Sequence, residues 1–512
     1  MNYPVWYIPS VGGSLLIAFI AIIHVVVSHF AVGGGLWLVL TEKKAYREKK
    51  KYIIEYVKKH TLFFMLITMV FGAITGVGIW FTIALIHPDA TSVLIHSFVF
   101  GWAMEWVLFL VEIVAAFLYF YTFEKISKKT HLLIGWIYFI AAWGSLVIIN
   151  AILSFMLTPG KWISTGNFRD GILNPSFIPS TIFRTFLSFA LAGSYALLTA
   201  SIKFKGKERE TLTKYNGKWI LISLSGMIPS LIWYYFTLPG QSRSGISGTS
   251  YIMKLSARHL YISLGLFILL SLFFIIRKLG KLSFPISLIT LLSLFIFFGA
   301  FEFIRESGRK PYIISDYMYS NGIRVKDSKF PKDFPVLSIS KWTLNKSVDE
   351  NNMKDAGREI FRIQCFACHS FGIKNNIIPK ISGWSKEKIE RIIGSLRGIT
   401  KFMPDFHGDD MERKALAGWL YSISENGRDP QTQKMVNKKN GETIFLNHCA
   451  DCHETDGENP IRPKMENFNS SSEIYKILGK LNKLNEDMPD FEGTDKERKN
   501  LSEYLFDLRS KK

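Results

Sequence analysis

Two five-residue strings carry the chain's most specific chemistry: Cys365-Phe366-Ala367-Cys368-His369 and Cys449-Ala450-Asp451-Cys452-His453. In each, two thiols stand three residues apart and an imidazole follows at once. That spacing is the attachment signature of c-type haem. Both thiols lie on one helical turn and reach the two vinyl groups, and the adjacent His gives the iron an axial nitrogen. The chain has four cysteines and these strings use all of them, so none remains for a disulfide or a separate thiolate site. A lone string of this kind also occurs in zinc sites. Two copies in matching surroundings disfavour that reading.

The surroundings do match. Gly357 and Gly441 each stand eight residues before the first thiol, and Pro379 and Pro463 each stand ten after the haem His. Both copies continue with Met-Pro-Asp-Phe, at 403–406 and 488–491. Both end in Glu-Arg-Lys-x-Leu-x-x-aromatic-Leu, at 412–420 and 497–505. That last string spaces apolar residues for a closing helix packed over the haem. On these residues each unit resembles class I cytochrome c. The resemblance implies His369 and Met403 as axial ligands of one haem, and His453 and Met488 of the other. A His/Met pair gives low-spin iron suited to electron transfer. Met411, Met465, His407 and His448 stay open as competing ligands.

The first 310 residues hold long apolar runs, where ionisable side chains are expensive and usually functional. They are His24 and His29 in a first run, His96, Glu105 and Glu112 in a third, Arg184 in a fifth, His259 in a seventh, and Glu302, Arg305 and Glu306 closing an eighth. His29, His96 and His259 read as satisfied interior or interfacial groups. Glu105 and Glu112 are seven residues apart and share a helix face. A span starting near Val93 places Glu105 about 18 Å along its axis. Two stacked carboxylates suit proton transfer; the structural alternative is a pair of protonated hydrogen-bond donors.

The elements that must position these groups are membrane helices. Eight segments are long enough to cross a bilayer, at roughly 11–40, 61–86, 93–123, 132–157, 180–204, 217–238, 258–276 and 284–304. The first lacks the basic start and the cleavage site of a removable signal. Residues 1–310 carry 29 Lys and Arg against 12 Asp and Glu, and the remainder 33 against 30, so the net +20 belongs almost wholly to the membrane half. This disfavours nucleic acid as a partner and favours basic cytoplasmic loops. Loops one, three, five and seven are the Lys-rich ones. The N-terminus and the haem strings are therefore expected outside, the side on which bacteria attach haem to cytochrome c.

The membrane half resembles subunit I of cytochrome bd quinol oxidases. The likeness rests on the run from His24 to Glu42, on Phe109-Leu-Val-Glu112, and most on Glu306-Ser-Gly308-Arg309-Lys-Pro311-Tyr312. By resemblance, His24 and Glu306 would each ligate a high-spin haem b or d, Glu112 would feed protons, and Arg309 would pair with haem propionates. Glu105 lies one place from another haem-site carboxylate of the family. Three departures stand out. Arg184 occupies the place of a His that ligates a low-spin haem b, with Met253 a poor candidate partner. The loop between spans six and seven is too short for a quinol-binding insertion. The family's last span is replaced by the tail.

The expected fold is all-α: an eight-helix transmembrane bundle over 1–312, a polar linker over 313–350, and cytochrome c domains over 351–428 and 429–512. The expected function is a respiratory membrane oxidoreductase of the bacterial inner membrane. Electrons would pass from two covalent haem c groups to one or two membrane haems that reduce dioxygen. An external electron donor and a second membrane subunit, either similar to bd subunit II or a copy, are expected partners. Two rival readings stay open: a quinol-oxidising cytochrome that reduces its own c haems, and a non-catalytic electron-transfer subunit. Nitric oxide is an alternative acceptor.

Overall fold

The computed structural model describes residues 5–244, 251–326, 335–340, 342–372, 375–382, 384–399, 403–426, 441–450, 453, 460–485, 488–491 and 493–509. Cys452, the expected second thiol of the second string, lies outside them. Among the described residues eight helices are long and apolar enough to cross a bilayer. The first is α1 (Gly13–Glu48). The second consists of α2 (Lys51–Met65), a π-helical turn at Leu66–Phe71 and α3 (Gly72–Ile86). After a short helix α4 (Pro88–Ser97) come α5 (Val99–Tyr121), α6 (Lys128–Leu157), α7 (Phe177–Lys203), α8 (Gly206–Thr237), α9 (Tyr251–Ile276) and α10 (Ser283–Ser307).

The third span differs from its expected start. Pro88 opens α4 as a separate helix, and Phe98 leaves helical geometry before α5 begins. Glu105 therefore lies six residues into α5, about 9 Å from its start rather than 18 Å. His96 falls on α4, outside the span.

Lipid offers little hydrophobic drive between helices, so close packing by small residues holds such bundles. Gly33, Gly34 and Gly35 make α1 the hub. A Cβ on Gly33 would meet the Ser188 carbonyl of α7 at 1.9 Å, one on Gly34 the Phe64 ring of α2 at 2.5 Å, and one on Gly35 the Tyr138 ring of α6 at 2.4 Å. Successive helical residues point about 100° apart, so three glycines admit three neighbours. Helix α7 runs through the interior, with Phe183, Leu187, Leu191 and Ala196 fully buried. Helices α5 and α6 are peripheral and expose large apolar residues such as Phe100, Trp106 and Ile140.

After α10 a two-stranded antiparallel hairpin, β1 (Tyr312–Ile314) and β2 (Met318–Tyr319), pairs Tyr312 with Tyr319. Its buried Ile313, Ile314 and Met318 pack with Phe155 and Trp162. Further on, Val336 and Leu337 are buried in the next core, and their amides donate to Glu412 at 2.8 Å each. Both ends of the segment read as a polar linker are thus folded onto their neighbours.

The tail holds two similar helical units. In the first, α11 (Met353–Gln364) crosses α13 (Asp410–Asn426), with α12 (Lys386–Ile393) alongside. In the second, α14 (Gly441–His448) crosses α16 (Asp495–Leu508), with α15 (Ser471–Leu478) alongside. The repeated glycine sets each crossing. A Cβ on Gly357 would lie 2.2 Å from the Ala415 carbonyl, and one on Gly441 2.0 Å from that of Asn500. Phe361 meets Trp419 across the first crossing, and Phe445 meets Tyr504 across the second.

Candidate functional sites

Each haem string is wound onto the end of its first helix. The amide of Cys365 donates to Phe361 at 2.9 Å, and those of Cys368 and His369 to Cys365 at 3.1 and 2.9 Å. In the second unit Cys449 donates to Phe445 and His453 to Cys449, both at 2.8 Å. The donors described thus lie on one turn in each unit, as two-point attachment needs. Met403 and Met488 lie on non-helical segments, each seven residues before its closing helix, and both side chains are partly exposed. Of the competing ligands, Met465 is buried in the core of the second unit and His448 packs edge-on to Phe491. Met411 is exposed at the start of α13. His407 bonds through its backbone to Gln364, and burial holds its imidazole below the usual histidine range. Among the described residues no three His, Cys, Asp or Glu side chains converge to hold a metal ion. In the first unit, two thiols and an imidazole on one turn suit covalent haem.

In the bundle, Arg184 is buried and paired. One guanidinium nitrogen faces His29 Nε2 at 3.3 Å and another donates to Glu302 at 2.7 Å. Arg305 donates to the other Glu302 oxygen at 2.8 Å. His29 Nδ1 faces the Val25 carbonyl at 2.7 Å, so this histidine is satisfied by its neighbours. These partners lie 118 and 155 residues from Arg184 in sequence, and no local pattern announces them.

His24 faces Thr75 at 3.1 Å, with its ring against Gly76, where a Cβ would approach to 3.1 Å. Glu306 closes α10, half-exposed, and pairs with Arg309 and with Lys310. Buried Arg309 also donates to the Ile313 carbonyl at 2.8 Å, fixing the hairpin to the helix end. No hydrogen bond or ion pair joins His24 to Glu306 among the described residues. His96 and His259 are exposed, each with Nδ1 at 2.7 Å from a carbonyl one turn back.

Glu105 and Glu112 do share a face, and α6 covers it: Ser145 donates to Glu105 and Tyr138 to Glu112, both at 3.1 Å. The sequence reading missed the fully buried Glu42 at the far end of α1. It accepts from Tyr119 at 2.5 Å and faces His131 Nδ1 at 2.8 Å. The seven-residue spacing of His131, Tyr138 and Ser145 was the available signal.

The first c unit lies against the membrane half. Phe366, between the two thiols, packs on Tyr7 at 4.6 Å between ring centroids. The Phe371 amide donates to the Pro9 carbonyl at 2.7 Å, and Arg362 sits 5.0 Å over the Tyr7 ring. Phe366 and Ala367 line a small cavity with His87 and Asp89 of the membrane half and Asn321, just after the hairpin. Burial, then the Lys310 and Arg309 charges, push His87 down to about 3.

Comparison with known proteins fits this geometry. A family model described as cytochrome bd terminal oxidase subunit I matches residues 14–233. A second, described as cytochrome C oxidase, cbb3-type, subunit III, matches twice, at 352–420 and 436–505. The chain is a cytochrome bd subunit I-like membrane domain fused to two cytochrome c domains. The structure of bd oxidase from Geobacillus thermodenitrificans is similar to it with a TM-score of 0.52 and 16% identity, over 60% of this chain and 88% of that one. At that identity the likeness speaks for the fold. A search of curated proteins finds no match. The bd-like match ends at residue 233, so the Glu306–Tyr312 string lies beyond it. The two matches and the eight apolar helices point to a multi-pass membrane haem protein of the respiratory type, with cytochrome c domains in its tail.

Proposed function

We propose that this bd-like protein is a terminal oxidase whose electrons enter through two c-type haems, reach one or two high-spin haems in the bundle, and reduce dioxygen there. Cys365, Cys368, His369 and Met403 would hold the first covalent haem, and Cys449, Cys452, His453 and Met488 the second. His24 and Glu306 would ligate the membrane haems, with Arg309 toward propionates. Bound haem supplies a one-electron couple, low-spin where both axial positions are filled and reactive where one is open.

The observation that carries this reading is the seating of the first Cys-x-x-Cys turn. Phe366 and Ala367 abut the membrane half beside His87, whose charge environment includes Glu306 and Arg309. A docked c unit at that end shortens the route to the Glu306 site. The pairing of Arg184 with Glu302 and His29 supports the same direction. A cation already held by protein groups stands where a quinol-side haem ligand would be. The first c unit also packs on Val5–Pro9, on the side that loop charge assigns to the periplasm. An external donor would reduce the c haems, and the exposed apolar faces of α5 and α6 suit a second membrane subunit.

Reduced-minus-oxidised spectra with and without carbon monoxide test this. The expected result is covalent haem c together with a non-covalent haem whose spectrum carbon monoxide changes. Absence of any carbon monoxide-sensitive haem contradicts the proposal.

A further inference from the structure

The second span carries Thr61, Thr68, Thr75 and Thr82 at intervals of seven. All four are buried, and each hydroxyl donates to the carbonyl four residues earlier, at 2.7–2.9 Å. Such back-bonding satisfies a buried hydroxyl and by itself implies no site. Thr75 differs from its row in having an imidazole beside it: His24 Nδ1 lies 3.1 Å from its Oγ1. His24 stands eleven residues after the start of α1 and Thr75 eleven before the end of α3. The pair therefore meets about 16 Å into the bundle from one end. The π-helical turn at Leu66–Phe71 ends one turn before Thr75, and such turns recur at functional sites.

Counting hydrogens fixes the imidazole. The Thr75 hydroxyl has one hydrogen and three polar neighbours: the carbonyls of Phe71 and Gly72, at 2.9 and 3.1 Å, and His24 Nδ1. Carbonyls only accept, so the hydrogen goes to them and Oγ1 keeps a lone pair for Nδ1. His24 therefore carries its hydrogen on Nδ1, and Nε2 keeps a bare lone pair, as a metal ligand must. Gly76 supplies the room. A Cβ there would stand 3.1 Å from His24 Cε1, so the ring rests against bare backbone.

Two other histidines show what sets His24 apart. His29 also turns Nδ1 to an acceptor, the Val25 carbonyl at 2.7 Å, but its Nε2 is occupied by Arg184 at 3.3 Å. His60 repeats the threonine arrangement with Thr199, whose hydroxyl donates to Tyr195 at 3.2 Å and lies 2.8 Å from Nδ1. Its ring is fully buried against Trp37 and Phe30, with no face open to a cofactor. His24 is only half-buried, and no hydrogen bond reaches its Nε2 among the described residues.

We propose that Thr75 is the positioning residue of this membrane haem site, fixing His24 in the Nδ1–H form and holding Nε2 free for iron. The role rests on the reading of His24 as a haem ligand. An iron-bound imidazole almost always donates its second N–H to an acceptor that orients the ring. Here the acceptor is a hydroxyl whose own hydrogen is held by the backbone, so it does not turn to donate to Nδ1.

The test uses the full chain, purified in detergent with its haems. T75V keeps the branched shape and removes the acceptor. Its non-covalent haem should pass to excess apomyoglobin about 10–100-fold faster than that of the wild type, with covalent haem c as the internal reference. T75S restores the hydroxyl and should return the wild-type rate. T82V removes an equivalent back-bonded hydroxyl from the same row and should change nothing. Equal rates in T75V and T82V overturn the proposal. A second readout is independent of iron binding: nitrogen-15 spectra of reduced, histidine-labelled protein stripped of non-covalent haem, with H24Q identifying the His24 signals. Wild type and T75S should show the proton on Nδ1, and T75V should not keep that single form. If H24A sheds haem no faster than the wild type, the ligand reading fails and the spectra still decide the Thr75 assignment. The same His24 form in T75V and wild type overturns it.

Discussion

Replacing Arg184 by Leu isolates the buried ion network at the centre of the bundle. Arg184 and Glu302 are both buried, and the substitution strips one Glu302 oxygen and His29 Nε2 of their donor. One-sided loss of a buried pair costs about 3–5 kcal/mol. Arg305 still donates to the second Glu302 oxygen at 2.8 Å. The loss should therefore fall near the lower end, about 3 kcal/mol. Glu302→Gln alone takes the carboxylate from both Arg184 and Arg305, so the double variant should lose about 2 kcal/mol less than the sum of the two single losses. Thermal unfolding in detergent, followed by tryptophan fluorescence over the wild type, both single variants and the double, gives the coupling directly. Strictly additive losses would refute the ion-pair argument. Haem extraction of the double variant should give the wild-type ratio of non-covalent to covalent haem, because no haem is assigned to this position.

Gly357→Ala forces a methyl group into the Ala415 carbonyl and should cost about 1–3 kcal/mol. Covalent haem in the first unit should fall with it, read by mass spectrometry. Gly398→Ala, where nothing lies within 4 Å, is the neutral control. Tyr7→Ala removes the ring under Phe366 and Arg362, a loss of about 1–2 kcal/mol. Hydrogen exchange should quicken across 362–371 and not in the second c unit. Burial lowers the proton affinity of His407, so the unfolded chain binds more protons there than the folded one. Its contribution to stability is present above about pH 6.5 and is lost as pH falls toward the depressed folded value. Acid titration of the haem absorbance should show a shallower loss in His407→Gln.

The eight spans were legible because each is a long apolar run, and hydropathy needs no partner to be read. The c units were legible because the chain states their pattern twice, down to the glycine that the closing helix crosses. Glu105 was placed too deep because the apolar run through α4 and α5 hides the break that Pro88 and Phe98 impose. The folded ends of the 313–350 segment were missed because a hairpin with such short strands is set by its packing on Phe155 and Trp162. The partners of Arg184 and the hub made by Gly33–Gly35 are long-range facts, fixed by which helices meet. Glu42 falls between these cases: its partners are distant, but the period of seven on α6 was present in the sequence.

The central claim is that electrons run from the c haems into the membrane site. Oxygen uptake by the purified protein, driven by ascorbate with a one-electron mediator and then by a quinol, tests it most directly. The account predicts rapid carbon monoxide-sensitive uptake with the mediator and little with quinol. Quinol-driven reduction of the c haems without oxygen uptake would contradict it.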